Sequence, residues 1–247
     1  MSIDRLKEII EGSNNIVFFG GAGTSTESNI PDFRSADSGI YNKKDKKYPY
    51  SPEIMINHTF FTSHPEEFFK FYRNEMVFRD ARPNDAHIVL AELERMGKLK
   101  AIITQNIDGL HQKAGSKNVL ELHGTIHRNY CINCGREYDL DYVLASEPLV
   151  PKCEKCGGIV RPDVVLYEEG LDMKVLNRAI KAIKKANVLI VGGTSLVVYP
   201  AAGLVEYFKG DELVLINKSP TRYDYRASVV INDSIGKVLR EATRDIL

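Results

Sequence analysis

The 247-residue chain carries no net charge and has no apolar run long enough to cross a bilayer. Lysine plus arginine equals aspartate plus glutamate at 33 each, which argues against a strongly nucleic-acid-binding protein or an acidic tail. A membrane-spanning helix needs about 20 consecutive apolar residues, and the first residues lack the hydrophobic stretch of a signal peptide. We therefore expect a globular, cytoplasmic protein with no membrane contact and no strong nucleic-acid binding of its own.

Cysteine is scarce, and its few copies are grouped. In a cytosolic chain, four cysteines are more typical of metal ligands or free thiols than of disulfides. Each C-x-x-C pair is followed by a glycine, which allows a turn that points both sulfurs at one ion. Four thiolates complete a tetrahedral shell and leave no position for water, so we predict one structural Zn²⁺; unligated thiols or a redox pair are the alternative. The predicted ligands are Cys131, Cys134, Cys153 and Cys156.

Short apolar runs alternate with helical patterns along most of the chain. This alternation predicts an α/β fold: a Rossmann-like parallel sheet with helices on both faces, interrupted by insertions. Runs typical of buried strands lie at 16–19, 101–103, 188–191, 213–216 and 229–231. Helical patterns lie at 1–12, 65–78, 84–97, 173–185 and 200–208, and a last one begins near residue 233.

Small and polar residues follow several of these strands, where a parallel sheet places its ligand crevice. Residues 20–26 form a glycine-rich turn after the first strand, and residues 192–195 form a second small-residue turn. Bare backbone in such a turn can approach a pyrophosphate. Thr26 replaces the third glycine of G-x-G-x-x-G, so this motif alone is also compatible with a tight turn out of a core strand.

A polar cluster follows the strand at 101–103. A buried strand does not require Gln105, Asn106 and Asp108 at its end, so these side chains predict a site. A second apolar stretch, residues 119–122, leads directly to His123. Histidine titrates nearest neutral pH, which makes His123 the candidate general base; a turn histidine is the alternative reading.

Taken together, the motifs resemble those of the sirtuins, the NAD-dependent protein deacylases, over nearly the whole chain. The resemblance is to the short bacterial and archaeal type. The motifs occur in the sirtuin order: residues 21–25, 29–34, 104–108 and 123–124, the two C-x-x-C pairs, and residues 193–195.

This resemblance implies a domain organisation. Sirtuins place NAD between a Rossmann domain and a small domain made of a zinc-ribbon module and a helical module. Residues 1–40, 82–125 and 161–247 would then form the NAD-binding domain. Residues 41–81 would form the cofactor loop and helical module, and residues 126–160 the zinc-binding module.

The resemblance also implies an activity and its residues. The chain would transfer an acetyl group from a protein lysine to ADP-ribose, releasing nicotinamide and O-acetyl-ADP-ribose, and would act as a monomer on acetyl-lysine proteins or peptides. His123, Asn106 and Asp108 would be catalytic. The NAD contacts would be Ala22, Thr26, Phe33, Arg34, Gln105, Asn106, Ile107, Asp108, His123, Thr194, Ser195, Asn217 and Ile235.

Two positions depart from patterns seen in sirtuins. Glu168 stands where family members commonly have glycine, beside the segment that would pair with the substrate, and we predict that it alters peptide preference in favour of basic flanking residues. Phe69 and Tyr72 stand where desuccinylating sirtuins carry a Tyr-x-x-Arg pair. Without that arginine an acidic acyl group lacks its charge partner, so we predict removal of acetyl or longer apolar groups over succinyl.

Three other functions use some of the same features. A mono-ADP-ribosyltransferase would use the same NAD pocket, although Asn106, Asp108 and His123 favour deacylation. A noncatalytic zinc-ribbon adaptor leaves the cluster from Gln105 to His123 unexplained. A plain NAD-dependent dehydrogenase is disfavoured by Thr26 and by a zinc site without a catalytic opening.

Overall fold

The computed structural model describes residues 2–32, 39–40 and 48–247. The strands within these ranges are β1 Ile16–Gly20, β2 Leu99–Thr104, β3 Val119–Glu121, β4 Gly124–Cys131, β5 Glu137–Tyr138, β6 Val160–Val164, β7 Val188–Gly192, β8 Glu212–Ile216 and β9 Val229–Ile231. The α-helices there are α1 Ser2–Gly12, α2 Pro52–Met55, α3 His58–Ser63, α4 Pro65–Phe71, α5 Asp85–Arg95, α6 Leu110–Lys113, α7 Leu140–Ala145, α8 Met173–Lys185 and α9 Ile235–Ala242.

Six parallel strands form the main sheet in the order β3-β2-β1-β7-β8-β9. The chain builds outward from β1 to β3 and later returns to the other side of β1 to build β7 to β9. Strand order therefore reverses between β1 and β7, and a ligand crevice is expected at the carboxyl ends of the strands at this point. Gly20 is level with both Thr104 and Gly192, so the three central strands end together.

Alternate residues of each central strand point into different cores, because side chains alternate across a pleated sheet. Phe18 packs into the core formed with α1, α5 and α9, whereas Phe19 packs into the core formed with α8 and the 3₁₀-helix Ala201–Tyr207. The predicted Rossmann-like sheet with helices on both faces is confirmed.

A second, antiparallel sheet has the order β5-β4-β6 and belongs to a third hydrophobic core. That core joins side chains of this sheet, such as Val160, to the aromatic residues Phe68, Phe69 and Tyr72 of residues 52–78, here called the helical segment. These aromatic side chains are thus packing residues of the third core. Because the two small modules share one core, neither buries its apolar surface alone.

Two helices differ from their predicted extent. The helix predicted at 65–78 ends as α4 at Phe71 and widens into a π-turn at Tyr72–Met76. Phe78 therefore lies outside the helix, in the wall of a cavity. The pattern at 200–208 forms the tighter 3₁₀-helix described above. Across the described ranges, no helix is both long and apolar enough to span a bilayer.

Two buried histidines lie side by side behind the sheet's polar edge. His87 and His111 are fully buried, with ring centroids 4.7 Å apart. The His87 Nδ1 accepts the backbone N–H of Asn84 in the capping box that begins α5. Burial lowers the pKa of His87 to about 4 and also lowers the pKa of His111. Both imidazoles are therefore neutral at physiological pH.

Acid should destabilise the protein through this pair. An unfolded histidine binds its proton near pH 6.5, whereas folded His87 binds it only near pH 4, so unfolding becomes easier as pH falls between these values. His87 alone should contribute about 3 kcal/mol to that loss. Urea unfolding followed from pH 7 to pH 4 measures it.

The variant His87→Gln keeps an acceptor for the capping box but does not titrate. It should show a shallower dependence of unfolding free energy on pH than the parent protein. An unchanged slope would show that His87 does not carry the effect.

Candidate active site

A cavity of about 490 Å³ lies at the carboxyl ends of the central strands. Its walls come from the turns after β1, β2, β7 and β8, from residues 164–169 and from the helical segment. Phe33 and Arg34, both predicted NAD contacts, lie outside the described residues. The other predicted side chains line this cavity: Ala22, Thr26, Gln105, Asn106, Ile107, Asp108, His123, Thr194, Ser195, Asn217 and Ile235.

The two small-residue turns touch each other backbone to backbone at the floor of the cavity. The Gly23 N–H donates to the Gly193 carbonyl oxygen at 2.8 Å. A Cβ on Gly23 would lie 2.8 Å from the Gly193 Cα, and Gly193 itself has a φ of +61°. Neither position has room for a side chain, so these glycines keep backbone exposed where a dinucleotide could approach.

A hydrogen-bonded network fixes the polar cluster after β2. The Ser25 hydroxyl donates to Asp108 Oδ2 at 2.7 Å and accepts from Asn106 Nδ2 at 3.0 Å. The other carboxylate oxygen, Asp108 Oδ1, accepts the Leu110 N–H at 2.9 Å. Three groups from two turns therefore have fixed orientations before any ligand binds, which is the preorganisation that a charged transition state requires.

His123 enters the same cavity from the end of β3. Its Nδ1 lies 3.0 Å from the Gln105 carbonyl oxygen. A carbonyl can only accept, so Nδ1 carries the proton and Nε2 keeps a free lone pair. Burial lowers the pKa of His123 and outweighs the opposing effect of that hydrogen bond. The imidazole is thus a neutral base at neutral pH.

If His123 acts as a base, the acid limb of the rate profile should lie below pH 6.5, because its pKa is lowered from that value. Activity should persist as pH falls through 6.5 and decline only at lower pH. The measurement is kcat/KM against pH, with circular dichroism at each pH to separate protonation from unfolding. An acid limb centred above pH 6.5 would contradict the assignment.

Two amide groups at the cavity have unused donors. Gln105 Oε1 accepts the Thr194 hydroxyl at 3.2 Å, and Asn217 Oδ1 accepts the Thr194 N–H at 2.8 Å. The opposite atoms, Gln105 Nε2 and Asn217 Nδ2, are buried and have no hydrogen-bond partner among the described residues. Buried donors need acceptors, and the ribose and phosphate oxygens of a dinucleotide supply them. The residues present fit NAD.

The four cysteine sulfurs converge as the C-x-x-C spacing predicted. All four lie within 4.8 Å of one another. Gly135 and Gly157 each have a φ of +70°, which forms the two turns. Zn–S bonds of about 2.3 Å place tetrahedral sulfurs about 3.8 Å apart, so this arrangement fits one structural Zn²⁺. Cys131 Sγ lies 3.4 Å from Cys156 Sγ, and Cys134 Sγ lies 3.6 Å from Cys153 Sγ.

The model of the Sir2 family matches residues 21–200. The chain belongs to the Sir2 family. An NAD-dependent protein deacetylase of Clostridium acetobutylicum is 65% identical over 96% of each chain, and one of Cutibacterium acnes is 53% identical over the full length of both. A solved Sir2 complex with a p53 peptide and NAD⁺ has a TM-score of 0.86, with 38% identity over 99% of this chain and 98% of the other. The resemblance seen in the motifs is confirmed.

Ser25 is a cavity residue whose role the sequence does not reveal. Ser25 was part of a recognised motif but was not assigned a role, although it connects Asp108 to Asn106. A hydroxyl directly after a strand-end glycine turn was the available signal. The same rule selects Gln105 and Asn106 after β2.

Proposed function

We propose that this Sir2-family protein is an NAD-dependent protein lysine deacetylase that transfers the acetyl group to ADP-ribose and releases nicotinamide and O-acetyl-ADP-ribose. The observation that carries the proposal is neutral His123 facing the preorganised cluster of Asn106 and Asp108 within one cavity. Relatives named NAD-dependent protein deacetylase and a Sir2 structure bound to an acetylated peptide support it.

When bound, NAD supplies the ribose carbon that receives the acetyl oxygen as nicotinamide leaves. Asn106 orients the nicotinamide ribose, and Ile107 and Asp108 receive the nicotinamide carboxamide. The Asp108 carboxylate, held by Ser25, also favours positive charge at the reacting ribose. His123 then takes a proton from a ribose hydroxyl through its free Nε2.

The remaining predicted contacts divide between the two ends of NAD. Gln105, Thr194, Ser195, Asn217 and Ile235 hold its adenosine and ribose parts. Ala22 and Thr26 contact it from the glycine turn, together with Phe33 and Arg34.

The same proposal divides the chain into three parts. The NAD-binding domain comprises residues 1–40, 82–125 and 161–247. The cofactor loop and helical module comprise residues 41–81, and the zinc-binding module comprises residues 126–160. The shared third core supports treating the last two as one small domain.

The acetyl-lysine peptide binds along the segment 164–167. This segment continues β6, the outermost strand of the antiparallel sheet, and the Val165 N–H donates to the His123 carbonyl at 3.0 Å. This segment also lines the cavity, so a peptide bound along it would lie beside the candidate base. The protein acts as a cytoplasmic monomer without strong nucleic-acid binding, consistent with its balanced charge.

The deciding experiment is mass spectrometry of an acetyl-lysine peptide incubated with the purified protein, with and without NAD. Loss of acetyl only with NAD, matched by nicotinamide and O-acetyl-ADP-ribose, is the expected result. Nicotinamide release with ADP-ribose attached to protein would favour the transferase. No NAD consumption with any acyl peptide would leave a zinc-bearing adaptor.

Acyl choice should favour uncharged groups. Phe69 and Tyr72 are buried in the third core, and Lys218 is the only lysine or arginine among the described cavity-lining residues. Lys218 follows β8, with β7, β1 and β2 between it and the strand that carries His123. We expect kcat/KM for an acetyl peptide to exceed that for a succinyl peptide by at least about tenfold.

A butyryl peptide is the matched control, because it has the same chain length as succinyl without the carboxylate. Faster turnover of butyryl than of succinyl would assign the difference to charge. Comparable turnover of succinyl and acetyl peptides would contradict the prediction.

A further inference from the structure

Glu168 has a backbone conformation that side chains rarely adopt. Its φ is +76°, and it shares positive φ only with Asn29 and Leu196 among the described non-glycine residues. Asparagine tolerates this region through local hydrogen bonds, but glutamate has no such advantage. A residue held in this region needs surrounding contacts that determine it, and such residues concentrate at functional sites.

The Glu168 carboxylate makes those contacts with the first turn of α3. Its Oε2 accepts the Thr59 N–H at 2.9 Å and the Thr59 hydroxyl at 2.7 Å. These hydrogen bonds lower the pKa of Glu168, so the group is a carboxylate at neutral pH. The side chain that would otherwise be free to meet a substrate is already engaged within the protein.

The backbone beside Glu168 is joined to the same part of the helical segment. The Tyr167 N–H donates to the Ile56 carbonyl at 3.1 Å, and the His58 N–H donates to the Tyr167 carbonyl at 3.0 Å. Two backbone and two side-chain hydrogen bonds therefore attach residues 167–168 to residues 56–59.

The same segment reaches the candidate base on its other side. Arg161, which is buried, pairs with Glu169, and the Leu166 N–H donates to Glu169 Oε2 at 2.8 Å. One residue earlier, the Val165 N–H donates to the His123 carbonyl. Residues 164–169 thus connect the helical segment to His123 while lining the cavity between them.

We propose that Glu168 is a positioning residue for the acyl-lysine peptide: its carboxylate holds segment 164–168 against α3, and it sets peptide affinity through that geometry rather than through its charge. The inference rests on the proposed deacetylase function. The sequence-based hypothesis that Glu168 favours basic flanking residues is the alternative, in which the charge of the carboxylate rather than its contacts with Thr59 sets peptide preference.

Three variants separate geometry from charge. Glu168→Gln removes the charge but keeps an oxygen that can accept both Thr59 donors. Glu168→Gly removes the acceptor and suits the left-handed backbone. Thr59→Val removes one donor at the partner position. Glu67→Gln is the matched control, since Glu67 is an exposed carboxylate of α4.

The readouts are KM for peptide, kcat and KM for NAD, measured with two acetyl-lysine peptides that differ only in having lysine or alanine beside the modified residue. Glu168→Gly should raise peptide KM about tenfold for both peptides and leave the KM for NAD unchanged. Thr59→Val should give a smaller rise of the same kind. Glu168→Gln should stay within about twofold of the parent on both peptides.

Two results would overturn the proposal. One is an unchanged peptide KM in Glu168→Gly; the other is a Glu168→Gln protein that selectively loses affinity for the lysine-flanked peptide, which would restore the charge hypothesis. Fluorescence anisotropy of the labelled peptides gives the same affinity ratios without turnover. An inactive parent protein would therefore count against the deacetylase function alone, and the anisotropy ratios would still decide the role of Glu168.

Discussion

Replacing His123 with alanine should lower kcat/KM for deacetylation by about 10² to 10⁴-fold, the usual contribution of a general base. The Gln105 carbonyl holds Nδ1 of the neutral imidazole, and within the described part of the chain no other histidine lines the cavity. Exchange of labelled nicotinamide into NAD should survive better than deacetylation, because His123 acts after the bond to nicotinamide breaks. Peptide turnover and nicotinamide exchange are measured side by side.

His64→Asn is a suitable control for this variant. His64 is the N-cap residue just before α4, contacts the Ser63 hydroxyl at 2.8 Å and does not line the cavity. It should leave both reactions near the parent rate. Full deacetylation by His123→Ala would remove His123 from the mechanism, and equal loss of both reactions would mean that it acts in NAD binding instead.

Replacing Cys153 with alanine should remove the zinc, unfold the small domain and abolish activity. Structural Zn²⁺ contributes about 10–16 kcal/mol in zinc-finger peptides, as much as the whole stability of a typical domain. Cys153 is buried in the third core, which the zinc module shares with α3 and α4. Hydrogen exchange should lose protection in both of these modules and keep it in β1, β2 and β7, which have cores of their own.

Lys155→Ala controls for a change within the same turn, because Lys155 is exposed and lies between two cysteines. It should retain one zinc per chain by elemental analysis and full activity. Chelation of the parent protein, followed by added Zn²⁺, should reproduce and then reverse the Cys153→Ala pattern. Native protection of the third core in zinc-free protein would refute a structural role for the metal.

Much of the main sheet follows from the sequence because its signals are local. The run at 188–191 becomes β7, and the pattern at 173–185 becomes α8 with the same bounds. The π-turn after Phe71 had no comparable signal, because aromatic residues continue through it with helical spacing. A π-turn depends on tertiary contacts. Here the Arg73 guanidinium donates hydrogen bonds to the Val143 and Leu149 carbonyls of the zinc module.

In the candidate site, too, residues with a local sequence signal could be predicted, whereas contacts between distant parts of the chain could not. Gln105, Asn106 and Asp108 could be selected because polar side chains at the end of a buried strand have no packing explanation. The hydrogen-bond partner of Asp108 could not be predicted, because Ser25 lies 83 positions earlier and only the pairing of β1 with β2 brings the two residues together. For Glu168 the sequence predicted a departure at the right place but not the contact with Thr59, 109 positions away.

The contact between the two glycine turns can form only late in synthesis. A nascent chain that has reached Cys131 already contains Ser25, Asp108 and His123, but the strand that supports the other edge of β1 begins only at Val188. Until β7 and Gly193 emerge, one edge of β1 lacks its partner strand and the Gly23 N–H lacks its native carbonyl partner. Such exposed edges invite pairing with other chains. The part of the chain that carries Ser25, Asp108 and His123 therefore completes its fold only after β7 and the turn at Gly193 have been synthesised.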